Sequence, residues 1–152
     1  MAERQYVIFK LDKEEYGVDI MHVKEISEFK ESVKIPNSPK FVDGIINYRG
    51  VITPIINLRR KFHLELKENT ADVRIIIINL SEKQVGFIVD DASQVLTIDE
   101  KDIDPAPDLI ADIDQRFISG IAKVDERMVI LLDLEKVLSE EEKKNIEMLD
   151  NM

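Results

Sequence analysis

The chain contains one β-rich segment twice, and this repeat limits the possible folds more than any other feature. Residues 41–62 are typical of a strand, a tight turn at Arg49 and Gly50, a second strand and a short helical piece. Residues 117–138 follow the same pattern without a gap. A duplication of one small β-unit explains why identical residues recur at equivalent positions, namely Phe41 and Phe117, Gly44 and Gly120, Ile45 and Ile121, and Leu58 and Leu134.

The segments that precede these hairpins also repeat, at a shorter spacing: Gly17 falls on Gly86, whereas Gly44 falls on Gly120. The difference between the two spacings predicts a short insertion in the acidic, proline-containing stretch 99–114. The predicted organisation is a single domain over 1–152 with two repeats, 5–66 and 72–138, and a C-terminal helix over 139–150.

Short runs of β-branched and aromatic residues predict the strands of each repeat. The continuous apolar run 75–78 is typical of a strand buried on both faces. Near-helical spacing predicts one or two helical turns within 19–26. Strands this short favour small barrels, so we expect one barrel from each repeat, with a groove where the two pack together. The strands are predicted at 5–11, 14–20, 29–35, 72–80, 84–89 and 95–98 and in the hairpin 44–57.

The C-terminal segment has the sequence signature of a helix start. Ser139 and Glu142 have the spacing of a capping box, in which each side chain bonds the backbone N–H of the other. Ile146 and Leu149 are expected to dock this helix on the barrels; the alternative is a solvated, partly helical tail.

Composition excludes several classes of function. The chain has 152 residues, 44% of them hydrophobic, and 31 acidic against 21 basic residues, a net charge of −10. This charge argues against nucleic acid as a partner and against direct membrane insertion, for which no long apolar run exists. No signal peptide is recognised and no cysteine is present, so a cytoplasmic location is expected.

The sequence contains no recognisable catalytic motif. Five glycines form no phosphate-binding loop, and Ser119 lacks the Gly-x-Ser-x-Gly pattern of a nucleophile elbow. His22 and His63 stand apart from any metal-ligand spacing. We therefore expect a protein that is not an enzyme, without catalytic residues, cofactor or metal.

The repeats differ at the tip of the hairpin. Residues 47–50 of the first repeat are Asn-Tyr-Arg-Gly, whereas residues 123–126 of the second are Lys-Val-Asp-Glu. Gly50 permits a turn with positive φ that would present Arg49 outward. Two compatible interpretations remain: Arg49 binds a partner, or it forms a local ion pair with a residue such as Glu25.

At these residues the chain resembles the CheW family of chemotaxis coupling proteins. The resemblance extends over about residues 5–140 and is carried by four motifs in family order, at 14–20, 23–26, 44–59 and 86–90. Two departures are Tyr48, where the family usually has Leu, and Asn57, where it often has Asp.

The resemblance implies a mainly β fold of two packed, five-stranded SH3-like β-barrels with short helical turns and a C-terminal α-helix. It implies a non-catalytic adaptor that is recruited to membrane-associated receptor arrays. There it would connect the helical cytoplasmic tip of chemoreceptors to the regulatory domain of the histidine kinase CheA. The implied partner-binding residues, for receptor or kinase, are Ile20, Val23, Glu25, Gly44, Arg49, Ala92 and Val95. Asn47 is added to them as part of the hairpin tip that the repeats do not share.

Two other functions are weighed against the adaptor. One is a regulatory or ligand-sensing module of the same fold outside the receptor array. The other is a small barrel for single-stranded nucleic acid, which the acidic charge and an aromatic content of 6% oppose. Two site hypotheses follow: Glu25 and Arg49 form a pair, and Gly44 occupies a tight backbone site.

Overall fold

The computed structural model describes residues 2–80, 82–106, 117–139 and 141–145, which form two packed β-sheets. The N-terminal half contributes β1 (Glu3–Leu11), β2 (Glu14–Asp19), β3 (Val23–Glu28), β4 (Val42–Tyr48), β5 (Val51–Asn57) and the short helix α1 (Leu58–Lys61). The C-terminal half contributes β6 (Arg74–Leu80), β7 (Lys83–Val89), β8 (Asp91–Asp99), β9 (Ile103–Asp104), β10 (Ile118–Val124), β11 (Arg127–Leu132) and the helix α2 (Leu134–Val137). Two 3-10 turns, Ile20–His22 and Glu100–Asp102, join strands.

The two sheets have the same strand order once the repeats are taken into account. Sheet A is ordered β8-β1-β2-β11-β10-β9, and sheet B is ordered β3-β6-β7-β5-β4. Each sheet therefore combines the first two strands of one repeat with the later strands of the other. The expectation of one barrel from each repeat is wrong, because the repeats exchange strands.

Strand registers follow the two sequence spacings residue by residue. The parallel pair β2 and β11 sets Leu131 opposite Gly17, and the parallel pair β5 and β7 sets Ile55 opposite Gly86. Gly86 is the repeat equivalent of Gly17 at the shorter spacing, and Leu131 is the repeat equivalent of Ile55 at the longer one. The repeat seen in the sequence is thus expressed as a pseudo-twofold relation between the sheets.

Three hydrophobic clusters stabilise this arrangement. The largest lies between the sheets and takes side chains from both, including Phe9 of sheet A and Phe87 of sheet B. Each sheet also has a smaller cluster of its own. The run 75–78 is fully buried, with Ile75 and Ile77 in the cluster of sheet B and Ile76 and Ile78 in the central cluster. The prediction of a strand buried on both faces is confirmed.

Two local predictions are wrong in the segment before β4. No strand forms over 29–35; a single bridge joins Val33 to Ile45. The helical turns expected within 19–26 are absent except for the 3-10 turn Ile20–His22, and β3 begins at Val23. Pairing with β6, which sets Ile26 opposite Ile76, favours the extended conformation over the local helical spacing.

In the second half, β8 begins at Asp91 rather than at 95, and β9 lies within the stretch expected to be a loop. The capping box is confirmed: Ser139 N donates to Glu142 Oε1 over 2.8 Å, and Glu142 N donates to Ser139 Oγ over 3.1 Å. Residues 141–145 are helical. Ile146 and Leu149 lie outside the described residues, so their docking stays a prediction.

Candidate functional site

The turn between β4 and β5 presents Arg49 to solvent. Arg49 has φ 52° and Gly50 has φ 83°, the two successive positive values that define a type I′ hairpin turn. Asn47 Oδ1 accepts a hydrogen bond from Gly50 N over 2.9 Å and so stabilises the turn from within. The outward presentation expected for Arg49 is confirmed, since its side chain is 71% exposed.

Glu25 and Arg49 form a two-pronged ion pair. Arg49 Nη2 lies 2.6 Å from Glu25 Oε1, and Arg49 Nε lies 2.9 Å from Glu25 Oε2. Hydrogen bonds from Arg49 first, and from Tyr48, lower the pKa of Glu25. The Arg49 guanidinium also lies 5.6 Å from the ring centre of Tyr48. The pairing hypothesis is confirmed, and the side chain of Arg49 is held over the hairpin tip.

Four other candidate residues lie on the edge strands β3 and β8 or, for Ile20, on the 3-10 turn that precedes β3. Ile20, Val23 and Ala92 are partly buried and pack against the central cluster. Val95 is directly opposite Val7, a member of that cluster, so its side chain lies on the same face of sheet A; it is 48% exposed.

Contacts between the sheets bring these two edges to one side of the molecule. β8 contacts β6, the neighbour of β3, while the turn Ile20–His22 contacts β1, the neighbour of β8. The edge strands β3 and β8, one from each sheet, therefore lie near each other beside the central cluster. We call the surface that carries Ile20, Val23, Ala92 and Val95 between these two edges the inter-sheet groove.

Gly44 lies on β4, away from the hairpin tip, where the backbone leaves no room for a side chain. Its φ is 155°, and a Cβ placed on it would lie 2.4 Å from Val33 O and 2.5 Å from Ser32 Oγ. Neighbouring Asp43 is held by Ser32 Oγ, which donates to its Oδ2 over 2.6 Å. Burial raises the pKa of Asp43, but the hydrogen bonds from Ser32 and Lys34 together lower it by more. The net effect is a pKa below the usual value for an aspartate. The tight backbone site expected at Gly44 is confirmed.

Sheet A carries a counterpart of the Glu25–Arg49 pair. Arg127, at the tip of the β10–β11 hairpin, donates from Nε to Glu15 Oε1 over 2.9 Å and from Nη2 to Gln94 Oε1 over 2.8 Å. Gln94 lies on the edge strand β8 and is the repeat equivalent of Glu25 at the shorter spacing. Both sheets thus join an edge strand to a hairpin tip through an arginine.

Sequence reasoning missed the exposed apolar residues beside the hairpin tips. Ile52 is 60% exposed and faces Asn47 across its hairpin, and Met128 is 70% exposed and faces Lys123. Ile52 and Met128 occupy equivalent positions at the longer repeat spacing. Both lie at the start of their strands, next to the hairpin tip, in apolar runs whose later residues are mostly buried, so the run by itself gives no sign of their exposure.

Neither a metal-binding group nor a membrane-spanning helix is found within the described residues. No group of three or more His, Asp or Glu side chains among them is placed to hold a metal ion. No helix within the described ranges is long and apolar enough to cross a membrane. The described surface contains the inter-sheet groove and two hairpin tips whose arginines are held by side-chain hydrogen bonds. Exposed apolar side chains lie beside both tips.

The fold and these surfaces define an SH3-like, two-sheet domain of the scaffold type. The chain belongs to the CheW-like family, whose domain model matches residues 5–142. It is 40% identical over 139 residues to the chemotaxis protein CheW of Klebsiella aerogenes, covering 91% of this chain and 84% of that protein. It is 35% identical over 141 residues to the probable chemotaxis protein CheW of Rhizobium etli, covering 93% and 91%.

A solved structure shares the fold over nearly the whole chain. The scaffolding protein TtCheW from Thermoanaerobacter tengcongensis matches with a TM-score of 0.83 at 38% identity, covering 91% of this chain and 90% of that one.

Proposed function

We propose that this protein is a non-catalytic adaptor that couples transmembrane chemoreceptors to the histidine kinase CheA in bacterial chemotaxis. It would act in the cytoplasm at membrane-associated receptor arrays. Named CheW relatives support the pathway, and TtCheW, described as a scaffolding protein, supports the mode of action. The observation that supports the proposal most is that one domain carries two separate surfaces suited to protein binding, the inter-sheet groove and the hairpin tip at Arg49.

The inter-sheet groove is suited to a helix. Apolar side chains on two converging edges would bury the apolar face of an amphipathic helix laid between them. Ile20, Val23 and Ala92 are already anchored in the central cluster, so little side-chain freedom would be lost on binding. We assign the groove to the helical cytoplasmic tip of the receptor.

The hairpin tip is suited to a second β-domain. Arg49, held by Glu25, offers a charged anchor, and exposed Ile52 offers apolar surface beside it. Asn47 shapes the turn and Gly44 allows the close backbone approach behind it. We assign this surface to the regulatory domain of CheA, with Glu25, Asn47 and Arg49 at the contact and Gly44 in a supporting position.

The alternative of a ligand-sensing module has less support. A cavity of about 240 Å³ is lined mainly by charged and polar side chains, among them Arg59, Lys67 and Asp90. Pockets for small organic ligands are usually larger, about 300–1,000 Å³, and predominantly apolar.

Titration calorimetry with the two separate partners tests the adaptor proposal. The ligands are the regulatory domain of a CheA and a helical hairpin from a receptor tip. Arg49→Ala should weaken kinase binding and spare receptor binding, whereas Val95→Glu should do the reverse. Arg4→Ala, which removes another exposed arginine, and Leu66→Glu, at a residue 49% exposed, are the matched controls. The proposal would be contradicted if the wild-type protein failed to bind one or both of the partners.

A further inference from the structure

The ends of sheet B are joined by the side chains of two neighbouring residues of β3. In the order β3-β6-β7-β5-β4, β3 and the β4–β5 hairpin are at opposite ends, and among the described residues no ladder pairs them. Glu25 reaches the hairpin tip through Arg49. Its neighbour Lys24 contacts the same hairpin by a second route, through the side chain of Gln84.

The second route is a chain of three hydrogen bonds through Gln84. Lys24 Nζ donates to Gln84 Oε1 over 2.7 Å, and Gln84 Nε2 donates to Thr53 Oγ1 over 2.8 Å. Thr53 Oγ1 in turn donates to Val51 O over 3.0 Å, one residue beyond the Arg49-Gly50 turn. A longer contact of 3.4 Å joins Gln84 Nε2 to Tyr48 O. We call this chain of bonds the Gln84 relay.

Burial and backbone geometry make the relay a defined connection. Thr53 is fully buried and Gln84 is 9% exposed, so water has little access to replace the hydrogen bond between their side chains. The register of β3 on β6 shifts between Val23 and Glu25, which leaves Lys24 in the irregularity. Such bulges redirect a side chain, and here the redirected ammonium meets the buried amide.

β3 also forms one wall of the inter-sheet groove. Val23 of the groove, Lys24 of the relay and Glu25 of the ion pair are consecutive residues on this strand. A displacement of β3 by a helix bound in the groove would therefore be passed to the hairpin tip through Lys24 as well as through Glu25. Any such coupling is reciprocal, because binding at either site then biases the same element.

We infer that Gln84, with Lys24, is a positioning residue that couples the inter-sheet groove to the hairpin tip at Arg49. This inference rests on the proposed function for the identity of the two partners. Occupation of one surface changes the affinity of the other, and the relay transmits the change.

The test variant is Gln84→Met, which has nearly the same shape and removes both polar ends of the relay. Thr53 keeps its bond to Val51 O, and exposed Lys24 is solvated, so no buried polar group loses all its partners. Lys24→Met interrupts the relay at its other end. Asn79→Met, at the exposed position opposite Gln84 on β6, is the control.

The affinity of the CheA regulatory domain is measured with and without a saturating receptor-tip hairpin. In the wild-type protein and in Asn79→Met the two affinities should differ by about fivefold or more. In Gln84→Met and Lys24→Met the ratio should be clearly closer to one than in the wild-type protein, because only the Glu25–Arg49 contact remains, while both partners still bind. A wild-type ratio of one, or a wild-type ratio retained in Gln84→Met, overturns the inference and leaves the adaptor function standing.

A second measurement needs no partner. Amide hydrogen exchange in free Gln84→Met should be faster than in the wild-type protein at residues 49–51. The other tip, residues 125–127, is an internal control and should exchange at the wild-type rate. Wild-type exchange at residues 49–51 would show that the relay does not position the tip, whether or not the proposed partners bind.

Discussion

Gln94 on β8 and Glu25 on β3 occupy equivalent positions in the two sheets, and each accepts a hydrogen bond from an arginine near a hairpin tip. Gln94 bonds Arg127 and Glu25 bonds Arg49, so in both sheets an arginine near a hairpin tip bonds an edge strand, in one case through an amide and in the other through a carboxylate. Only Glu25 pairs charge with charge, and only its arginine stands 71% exposed. The first hairpin tip is therefore the better candidate for a charged partner contact.

The Glu25–Arg49 pair should matter for binding and little for stability, because exposed ion pairs contribute little to folding. We expect Arg49→Ala and Glu25→Ala to keep a thermal midpoint close to that of the wild-type protein and to weaken binding of the CheA regulatory domain. A double-mutant cycle measured by calorimetry should show clear coupling between the two sites. Strictly additive losses would mean that the pair does not act as a unit at the interface.

Gly44→Asp should impair both the fold and binding of the kinase domain. A side chain at this position meets Val33 O and Ser32 within 3 Å, and φ 155° is unfavourable for any residue with a Cβ. We expect a loss of about 2–4 kcal/mol in unfolding free energy from overpacking and backbone strain. Gly50→Asp is the control, since φ is also positive there but a Cβ meets nothing within 4 Å. Equal midpoints of urea unfolding for the two variants would be evidence against a tight site at Gly44.

Val95→Glu should reduce receptor binding without unfolding the protein. The side chain lies at the rim of the groove, where a carboxylate would remain solvated in the free protein and be buried by a docked helix. We expect the Kd for the receptor-tip hairpin to rise about tenfold, because binding would bury a carboxylate without a partner. Leu66→Glu, at a residue of similar exposure, should leave that Kd unchanged, and the same loss in both variants would refute a specific groove site.

Arg59→Met should destabilise the protein strongly. This side chain is 8% exposed and bonds Asp90, Asp12 and the carbonyl oxygen of Glu65, so it ties α1 to the β1–β2 turn and to the end of β7. Removing one partner of a buried ion pair costs about 3 kcal/mol. The adjacent Arg60 is exposed, and Arg60→Met should unfold near the wild-type midpoint. A small effect at Arg59 in chemical unfolding would mean that the acidic partners are well solvated without it.

Asp43 should make stability depend on pH in the acidic range. Its pKa in the folded protein lies below the usual value for an aspartate, so the unfolded state binds the proton more readily. The stabilisation is therefore present above the unfolded pKa and is lost as pH falls through the folded pKa. We expect wild-type protein to be more stable than Asp43→Asn at pH 6, with the difference shrinking below about pH 4. A difference that stays constant with pH would exclude this contribution.

Local and repeated patterns could be predicted from the sequence, and long-range choices could not. Arg49-Gly50 predicted its turn because two-residue hairpins depend on backbone conformations that few residues adopt. The β-forming residues of 29–35 predict a strand, but this segment pairs only at Val33, with Ile45 of β4, whereas the edge of β6 is taken by β3. Opposite charge suggested the Glu25–Arg49 contact; nothing in the sequence pointed to Lys24, Gln84 and Thr53 together.

The class and the family of this protein follow from its amino-acid sequence alone: a mainly β chain, two offset repeats, and the motifs that it shares with CheW. These depend on local propensity, on burial pattern and on residue spacing, all of which are written in order along the chain. The exchange of strands between the repeats, in contrast, is visible only in the assembled fold, where β2 pairs with the distant strand β11. That choice depends on which apolar faces bury one another in the central cluster, a property of the packed sheets rather than of any segment.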